Sequence, residues 1–451
     1  MTCGEEQGCI QGDVAGNGHV AILCRRRARK RPERRAAPTP KSILEEVIYL
    51  LYIASVFRHH SQPLVSAPAE TAVLALLLAE GPLSRVELAR RTGLSSTAVT
   101  KAARPLIDDG YLYELPPERT APGAGRPVYP LSVAPDREYF IGLKISSDEL
   151  FGAVCDLRAG IRATAVRPLG TCAPEDVAVL VAELVDELLD VEPAFRDRTR
   201  HLGVAVNGDV DRDSGRLRHS GLLGWKDVPL AELLAAATGL RVTVENDVRA
   251  LTVAEHWFGE GIGTGYFALV TIGSGIGSAL VVNGHLLRGA HGVAGEVGHI
   301  CVDPAGPRCR CGARGCVEAI GSTDAILAAV RRAAANPRLT FHEVVEMARE
   351  GHPEARDAFA RAGRAIGVGI AALVNLVGPE RVVVSGEGVD AYDLFSRHIQ
   401  EAYSTHAFGA ASRCPLSLRP LPWEEWARGG AAVAIQALFP QPAATSAIGA
   451  G

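Results

Sequence analysis

Net positive charge is the first thing this chain lacks. Its 47 lysines and arginines are outnumbered by 51 acidic residues, for a net charge of −4. A globally basic nucleic-acid coat is excluded, whereas a local DNA-reading face is not. The stretch "SILEEVIYLLYIASVF" (42–57) is apolar but short and carries Glu45 and Glu46. A membrane-spanning helix needs roughly 20 apolar residues without such charges, so no span and no membrane partner is expected. That stretch also comes late and no small-residue cleavage site follows it, which argues against a secretory signal. The ten cysteines are mostly scattered along 451 residues. That spacing argues against a disulfide scaffold and leaves reduced thiols in a cytoplasm as the expectation.

The composition, 47% hydrophobic and 22% charged, is that of a soluble globular protein too long for one core, hence two or three domains. Residues 1–66, with the basic run "RRRARKRPERR", read as a solvated, disordered extension to which no function is assigned. Residues 441–451 read as a disordered tail.

From residue 67 the texture changes. "ETAVLALLLAE" has helical apolar spacing. In the segment that follows, Gly93 marks a tight turn and Ser95 stands where a helix N-cap belongs. Val99, Ala102 and Leu106 then repeat as a buried stripe, with Ser96, Thr97, Thr100, Lys101 and Arg104 on the opposite face. Two helices joined by a glycine turn, the second exposing short polar and basic side chains, make a helix-turn-helix. The next segment, "YLYELPPERTAPGAGRPVYPLSV", places two apolar stretches around a Pro/Gly-rich tip with Arg119 and Arg126. This is a wing, so residues 67–133 are expected to form a winged helix-turn-helix that binds operator DNA. Thr97, Thr100 and Lys101 would face the major groove, and Arg126 would reach phosphate or the minor groove.

Ala134-Pro135 reads as a hinge. Beyond it strands and helices alternate, and one echo stands out. "YFIGLKISSDELFGAVCDL" and "YFALVTIGSGIGSALVVNG" are both strand, tight loop, strand, each opening with Tyr-Phe. A hairpin repeated at the start of each half implies a duplicated, two-lobed α/β fold with a cleft between the lobes. Loops of this kind can hold phosphates through backbone N–H groups. Further on, "GEVGHICVDPAGPRCRCGARGCVEAIG" (295–321) holds three cysteines within eight residues, Cys309, Cys311 and Cys316. A metal knot, a redox site and a merely sulfur-rich loop are the alternatives.

The motifs "GEVGHI", "CRCGARGCVE", "VENDV", "TIGSGIG" and "VVVSGEG" resemble those of the ROK family (repressors, open reading frames and kinases). The resemblance implies an α/β, actin-like, two-lobed sugar-kinase fold over 137–440, preceded by the winged helix-turn-helix domain. Thiolates at Cys309, Cys311 and Cys316, with His299 as a nitrogen ligand, complete a tetrahedral site that suits structural Zn²⁺. Cys301 is a possible substitute ligand, but its apparent place in a strand next to His299 favours a packed thiol. In the family, the residues matching Asn246, Asp247, Glu296, His299 and Glu318 contact the sugar. The Asp matching Asp247 is the kinases' catalytic base.

Departures from the family pattern argue against catalysis. Where the kinases have an Asp-x-Gly-Gly-Thr phosphate loop, this chain has Lys144, Ser146, Ser147 and Asp148. The second loop, with Gly273, Gly275 and Gly277, is expected to be intact, and Asp247 to be a vestigial base. Gly221 and Asn207 depart from the family on the sugar side. The expectation is a sugar-responsive DNA-binding repressor of carbohydrate-metabolism genes, with a sugar or sugar-phosphate effector, acting as a homodimer or homotetramer. A ROK sugar kinase, or a regulator with a ligand-blind ROK domain, are the alternatives.

Overall fold

The computed structural model describes residues 67–117 and 127–439. The basic run, the 42–57 stretch, the wing tip with Arg119 and Arg126, and the 441–451 tail lie outside the described residues.

The chain begins with α1 (Pro68–Glu80), α2 (Arg85–Thr92) and α3 (Ser96–Asp108), then a small hairpin, β1 (Leu112–Glu114) and β2 (Leu131–Val133). The helix starts are set locally. The Ser84 hydroxyl accepts from the Glu87 N–H at 3.1 Å and the Ser95 hydroxyl from the Ala98 N–H at 3.1 Å, each satisfying an otherwise orphaned donor. Gly93 ends α2 with φ of 72°, a conformation that favours glycine. Val73, Leu77, Leu88, Val99 and Leu106 close the core.

The remainder is built on two sheets of like design. The first half supplies β3 (Tyr139–Ile145), β4 (Glu149–Asp156), β5 (Ile161–Pro168), α4 (Pro174–Leu189), α5 (Pro193–Arg198) and β6 (Thr199–Val206). A side sheet follows, β7 (Asp209–Asp211), β8 (Arg216–Ser220) and β9 (Trp225–Val228), and then α6 (Leu230–Thr238), β10 (Arg241–Asn246) and α7 (Asp247–Phe258). The second half supplies β11 (Phe267–Ile272), β12 (Ile276–Val282), β13 (His285–Leu286), α8 (Val317–Gly321), α9 (Thr323–Ala333), α10 (Phe341–Glu350), α11 (Pro353–Val377), β14 (Arg381–Ser385), α12 (Tyr392–His406), β15 (Leu416–Leu418) and α13 (Trp423–Gln436).

Strand order is β10-β6-β3-β4-β5 in one sheet and β13-β12-β11-β14-β15 in the other. In each, an antiparallel hairpin (β3–β4, β11–β12) is extended by parallel strands (β6 and β10, β14 and β15). The repeated Tyr-Phe hairpin in the sequence is thus the seed of two topologically equivalent sheets. The central strands are apolar throughout because both of their faces are covered: all of β3 and all of β11 are buried. Helix α11 is long and apolar enough to cross a bilayer by length and composition, yet 56% of its most apolar stretch is buried. It packs on α12 through Gly363 and Gly367, where any Cβ would meet the α12 backbone.

Helix α13 lies across β3 and β6, seated on glycine notches: a Cβ at Gly142 or Gly203 would overlap its backbone. Its Ala427, Ala431, Ala434 and Ile435 join one continuous hydrophobic cluster with Leu74, Val99 and Leu112 of the helix-turn-helix and with Phe140 and Phe151 of the first sheet. The expected hinge at Ala134-Pro135 is corrected by this packing. The Ala134 N–H donates to the Tyr111 carbonyl at 2.8 Å and the Leu157 N–H to the Pro135 carbonyl at 3.0 Å. Arg137 donates to the Asp109 carbonyl at 2.8 Å and lies 4.9 Å from the Tyr111 ring centroid. The Tyr111 hydroxyl donates to Glu138 at 3.0 Å. Apolar burial on both sides of the Pro leaves the joint welded, which the local turn residues alone did not reveal.

Candidate functional site

On α3, Ser96, Thr97, Thr100, Lys101 and Arg104 are all exposed, while Val99, Ala102, Ala103 and Leu106 turn inward. Arg104 pairs along the helix with Asp108 at 3.3 Å, an exposed contact of small energetic weight. Among the described residues, the helix therefore presents an exposed polar and basic surface.

The cleft residues are organised differently. Asn246 ends β10 and caps α7: its carbonyl accepts from the Arg249 N–H at 3.2 Å, and its amide donates to the Gly208 carbonyl at 3.1 Å. Next to it Asp247 is buried and makes an ion pair with buried Lys144, which reaches across from β3. The Lys144 ammonium also lies 5.1 Å from the Trp426 ring centroid. The lysine thus sits beside the aspartate it was not expected to touch, 103 residues away in sequence. One oxygen of the Asp247 carboxylate is thereby taken by the Lys144 ammonium.

Glu296, His299 and Glu318 gather on the second-half side. Burial raises the Glu296 pKa, an effect that His299 and Arg249 partly offset. Burial pushes Glu318 the same way, but its pairing with Arg310, at 2.7 and 2.9 Å, outweighs this and keeps the carboxyl below its ordinary value. Beside Asn246, Glu245 is fully buried and takes Arg212 at 3.3 Å, Arg288 at 3.2 Å and Arg249 at 3.8 Å. Arg212 follows β7 in the first half and Arg288 follows β13 in the second, so one carboxylate ties the two sides of the cleft. Neither Glu245 nor its arginines stood out in the sequence, where "VEND" drew attention only to its last two letters.

His299 Nδ1 and the sulfurs of Cys309, Cys311 and Cys316 lie within 4.8 Å of one another. The contacts His299 Nδ1–Cys309 Sγ at 3.6 Å and Cys311 Sγ–Cys316 Sγ at 3.8 Å match the edges of a tetrahedron with legs of about 2.0–2.3 Å, the zinc–nitrogen and zinc–sulfur bond lengths. Burial and the neighbouring thiols push Cys316 up to about 12, whereas backbone and thiol hydrogen bonds lower Cys311. The turn depends on Gly315, at φ of 65°, where a Cβ would overlap the Asp303 carbonyl. Cys301 departs from expectation. It is exposed rather than packed, in a single β-bridge opposite Cys316, and lies outside the four-ligand cluster. Its neighbours form no continuous strand, so no second face covers it.

Both hairpin turns proved closed. In the first, the Ser146 hydroxyl accepts from the Asp148 and Glu149 N–H groups at 3.4 and 3.2 Å, and the Ser146 and Ser147 hydroxyls donate to Asp148 at 2.9 and 3.1 Å. The second turn, expected to be intact, keeps its glycines but has two amides taken by carboxylates. The Ser274 N–H donates to Glu387 at 2.9 Å and the Ile276 N–H to Glu318 at 3.3 Å. Glu387 comes from the loop after β14, more than a hundred residues on, so the motif itself gave no sign of it.

A helix-turn-helix with a small hairpin, joined to a duplicated α/β fold that carries a buried polar cluster and a Cys/His cluster, is the architecture on the page, and comparison with known proteins agrees with it. The ROK family profile matches residues 140–436, and a winged helix-turn-helix DNA-binding profile matches 69–113. The chain belongs to the ROK family. It is 35% identical over 230 residues to a glucokinase of Thermotoga maritima, covering 47% of this chain and 70% of that one. It is 24% identical over 347 residues to the xylose repressor of Bacillus subtilis, covering 77% and 89%. The crystal structure of a ROK family transcriptional regulator, a homologue of the Escherichia coli MLC protein, superposes with a TM-score of 0.68 at 27% identity, covering 82% of this chain and 97% of the other. The family thus includes both kinases and repressors.

Proposed function

We propose that this chain is a sugar-responsive, DNA-binding transcriptional repressor of carbohydrate-metabolism genes, acting in the cytoplasm as a homo-oligomer. The observation that carries the proposal is the buried Lys144–Asp247 ion pair in a chain that also displays an open recognition helix. The pair supports binding without phosphoryl transfer. Asp247 remains able to accept hydroxyl hydrogen bonds, while Lys144 occupies one of its oxygens and stands where a divalent cation would need a carboxylate.

In this reading residues 67–133 bind operator DNA through Ser96, Thr97, Thr100, Lys101, Arg104 and Arg126, and residues 137–440 sense the ligand. Asp247, Glu296 and Glu318 accept sugar hydroxyls, with Asn246 and His299 completing the wall. His299, Cys309, Cys311 and Cys316 would hold one Zn²⁺, which supplies rigidity to the segment between Glu296 and Glu318. A sugar or sugar phosphate bridging the cleft changes the angle between lobes. Because the DNA-binding domain shares a core with the first sheet, the two half-site readers of a dimer move with it. Half-sites lie about one or two helical turns apart, a spacing that tolerates little displacement.

The test is fluorescence anisotropy on an operator selected from random duplexes, titrated with pentoses, hexoses, N-acetylhexosamines and their phosphates. One of them should shift affinity by about tenfold, a coupling of about 1.4 kcal/mol. Glu296→Ala should abolish the shift while leaving ligand-free DNA binding intact. Sugar-dependent ATP turnover above about 1 s⁻¹ would instead make the chain a kinase. No response to any carbohydrate would leave the ligand-blind regulator.

A further inference from the structure

The turn Gly273-Ser274-Gly275 between β11 and β12 has the make-up of an anion nest: small residues and successive N–H groups at a hairpin tip. Three of the amides at and beside it are nevertheless engaged from within the chain. The Gly273 N–H donates to the Gly275 carbonyl at 2.9 Å, the Ser274 N–H to Glu387 at 2.9 Å and the Ile276 N–H to Glu318 at 3.3 Å. The Glu387 carboxylate lies over Gly273 in the space that a Cβ would fill. Glu387 follows Gly386, whose φ of 100° turns the chain sharply out of β14 toward this tip.

The equivalent turn of the first sheet repeats the theme by other means. Ser146 caps its own amides and both serine hydroxyls point at Asp148. Each hairpin tip is therefore met by a carboxylate, Asp148 from within the first and Glu387 from the loop after β14 at the second. The cations beside the tips are committed as well: Lys144 to Asp247, and Arg310 to Glu318 through two bonds of 2.7 and 2.9 Å.

We propose that Glu387 is a built-in anion that fills the Gly273–Gly275 nest and makes the cleft select against nucleotides and other oligophosphates. The cleft thereby reads its sugar independently of the nucleotide pool. A phosphate entering this turn must displace a carboxylate from the amide it holds and then bear the repulsion of Asp148 on the first hairpin, since both hairpins adjoin the start of α7, Lys144 at Asp247 and Gly277 at Val248. Both steps cost binding free energy that a neutral sugar end does not incur. This deepens the reading of a non-catalytic sensing cleft, and its test uses an oligophosphate alone, so the outcome is independent of which sugar, if any, the cleft takes.

Full-length protein and the variants Glu387→Gly and Glu387→Gln are titrated with inorganic tripolyphosphate, with and without Mg²⁺, by calorimetry and thermal shift. The parent chain should show no saturable binding at millimolar concentration. Glu387→Gly should acquire it, with affinity at least about tenfold above the parent. Glu387→Gln, which keeps an acceptor but loses the charge, should gain less, and Asp148→Ala added to Glu387→Gly should gain more. Tripolyphosphate binding to the parent as tight as to the variants would overturn the proposal. So would absence of any gain in Glu387→Gly, or, where that variant does not fold, in Glu387→Gln with an unaltered melting temperature.

Discussion

The recognition helix and the cleft treat their polar side chains in opposite ways. Along α3, Ser96, Thr97, Thr100, Lys101 and Arg104 end in solvent. In the cleft Asp247, Glu318 and Glu245 are buried in ion pairs, and Asn246 uses both ends of its amide. An open face takes up a polyanion by releasing counterions, so its affinity follows ionic strength. A filled cleft must exchange one partner for another, so its selectivity follows from what each exchange costs. In the proposed reading, recognition of DNA and recognition of a small ligand would thus be built on opposite principles within one chain.

The sharpest way to break this contrast is to remove a support on the cleft side. Cys311→Ser should lower zinc from about one per chain to near none and depress the melting temperature by the largest margin of any change here. Structural zinc is worth about 10–16 kcal/mol in isolated finger peptides. Metal analysis of protein purified without added zinc decides it, and equal zinc in both proteins would remove the assignment of the cluster.

The next largest effect is expected at Lys144. Lys144→Ala leaves Asp247 buried without its partner, at a cost of about 3–5 kcal/mol in denaturant unfolding. Lys144→Met combined with Asp247→Asn should recover most of that loss, because the uncompensated charge is gone. A cost below about 1 kcal/mol for the single variant would mean that the cleft is not held by internal pairing.

A third test falls on the core that joins face to cleft. Burial, with a smaller contribution from Arg241, pushes the pKa of His201 down to about 3 from its ordinary 6.5. Its ring stacks on Phe140 of the shared cluster. The folded state resists protonation that the unfolded state accepts, so the stability from neutral His201 is complete above pH 6.5 and is lost as pH falls toward 3. The loss should approach about 1.4 kcal/mol per pH unit in that window. His201→Leu should flatten this limb of the stability curve, and an unchanged limb would assign acid sensitivity to other groups.

The smallest effect on folding belongs to the open face. Lys101→Ala should leave stability within about 0.5 kcal/mol, yet weaken operator binding and reduce the salt slope by about one. Equal affinity and equal slope would move the DNA-reading surface elsewhere.

The same contrast explains what the sequence made legible. The helix-turn-helix is written in local terms: Ser84 and Ser95 as caps, Gly93 as a turn, and Val99, Ala102 and Leu106 at helical spacing. The paired hairpins were visible because each fits within about twenty residues of sequence, and the Cys/His cluster because Cys309, Cys311 and Cys316 are near neighbours. The partners that fill the cleft come from far away. Lys144 meets Asp247 across 103 residues and Ser274 meets Glu387 across 113. No periodicity or spacing rule connects such positions, since the sheets alone bring them together. The weld at Ala134-Pro135 was hidden for the same reason, as its strength comes from Ala431 and Ile435 near the other end of the chain.

Helix α13 has a consequence for the order in which the protein is made. A ribosome delivers α1, α2 and α3 early and α13 almost last, an interval on the order of tens of seconds at roughly 5–20 residues per second. Until Ala427, Ala431, Ala434 and Ile435 emerge, the cluster that includes Leu112, Phe140 and Phe151 lacks its lid, and so do the small clusters completed by Ala432, Val433 and Trp426. A nascent or prematurely terminated chain therefore exposes apolar surface of the kind that chaperones and proteases recognise. Emergence of the last helix is therefore the step that closes the core shared by the helix-turn-helix and the first sheet.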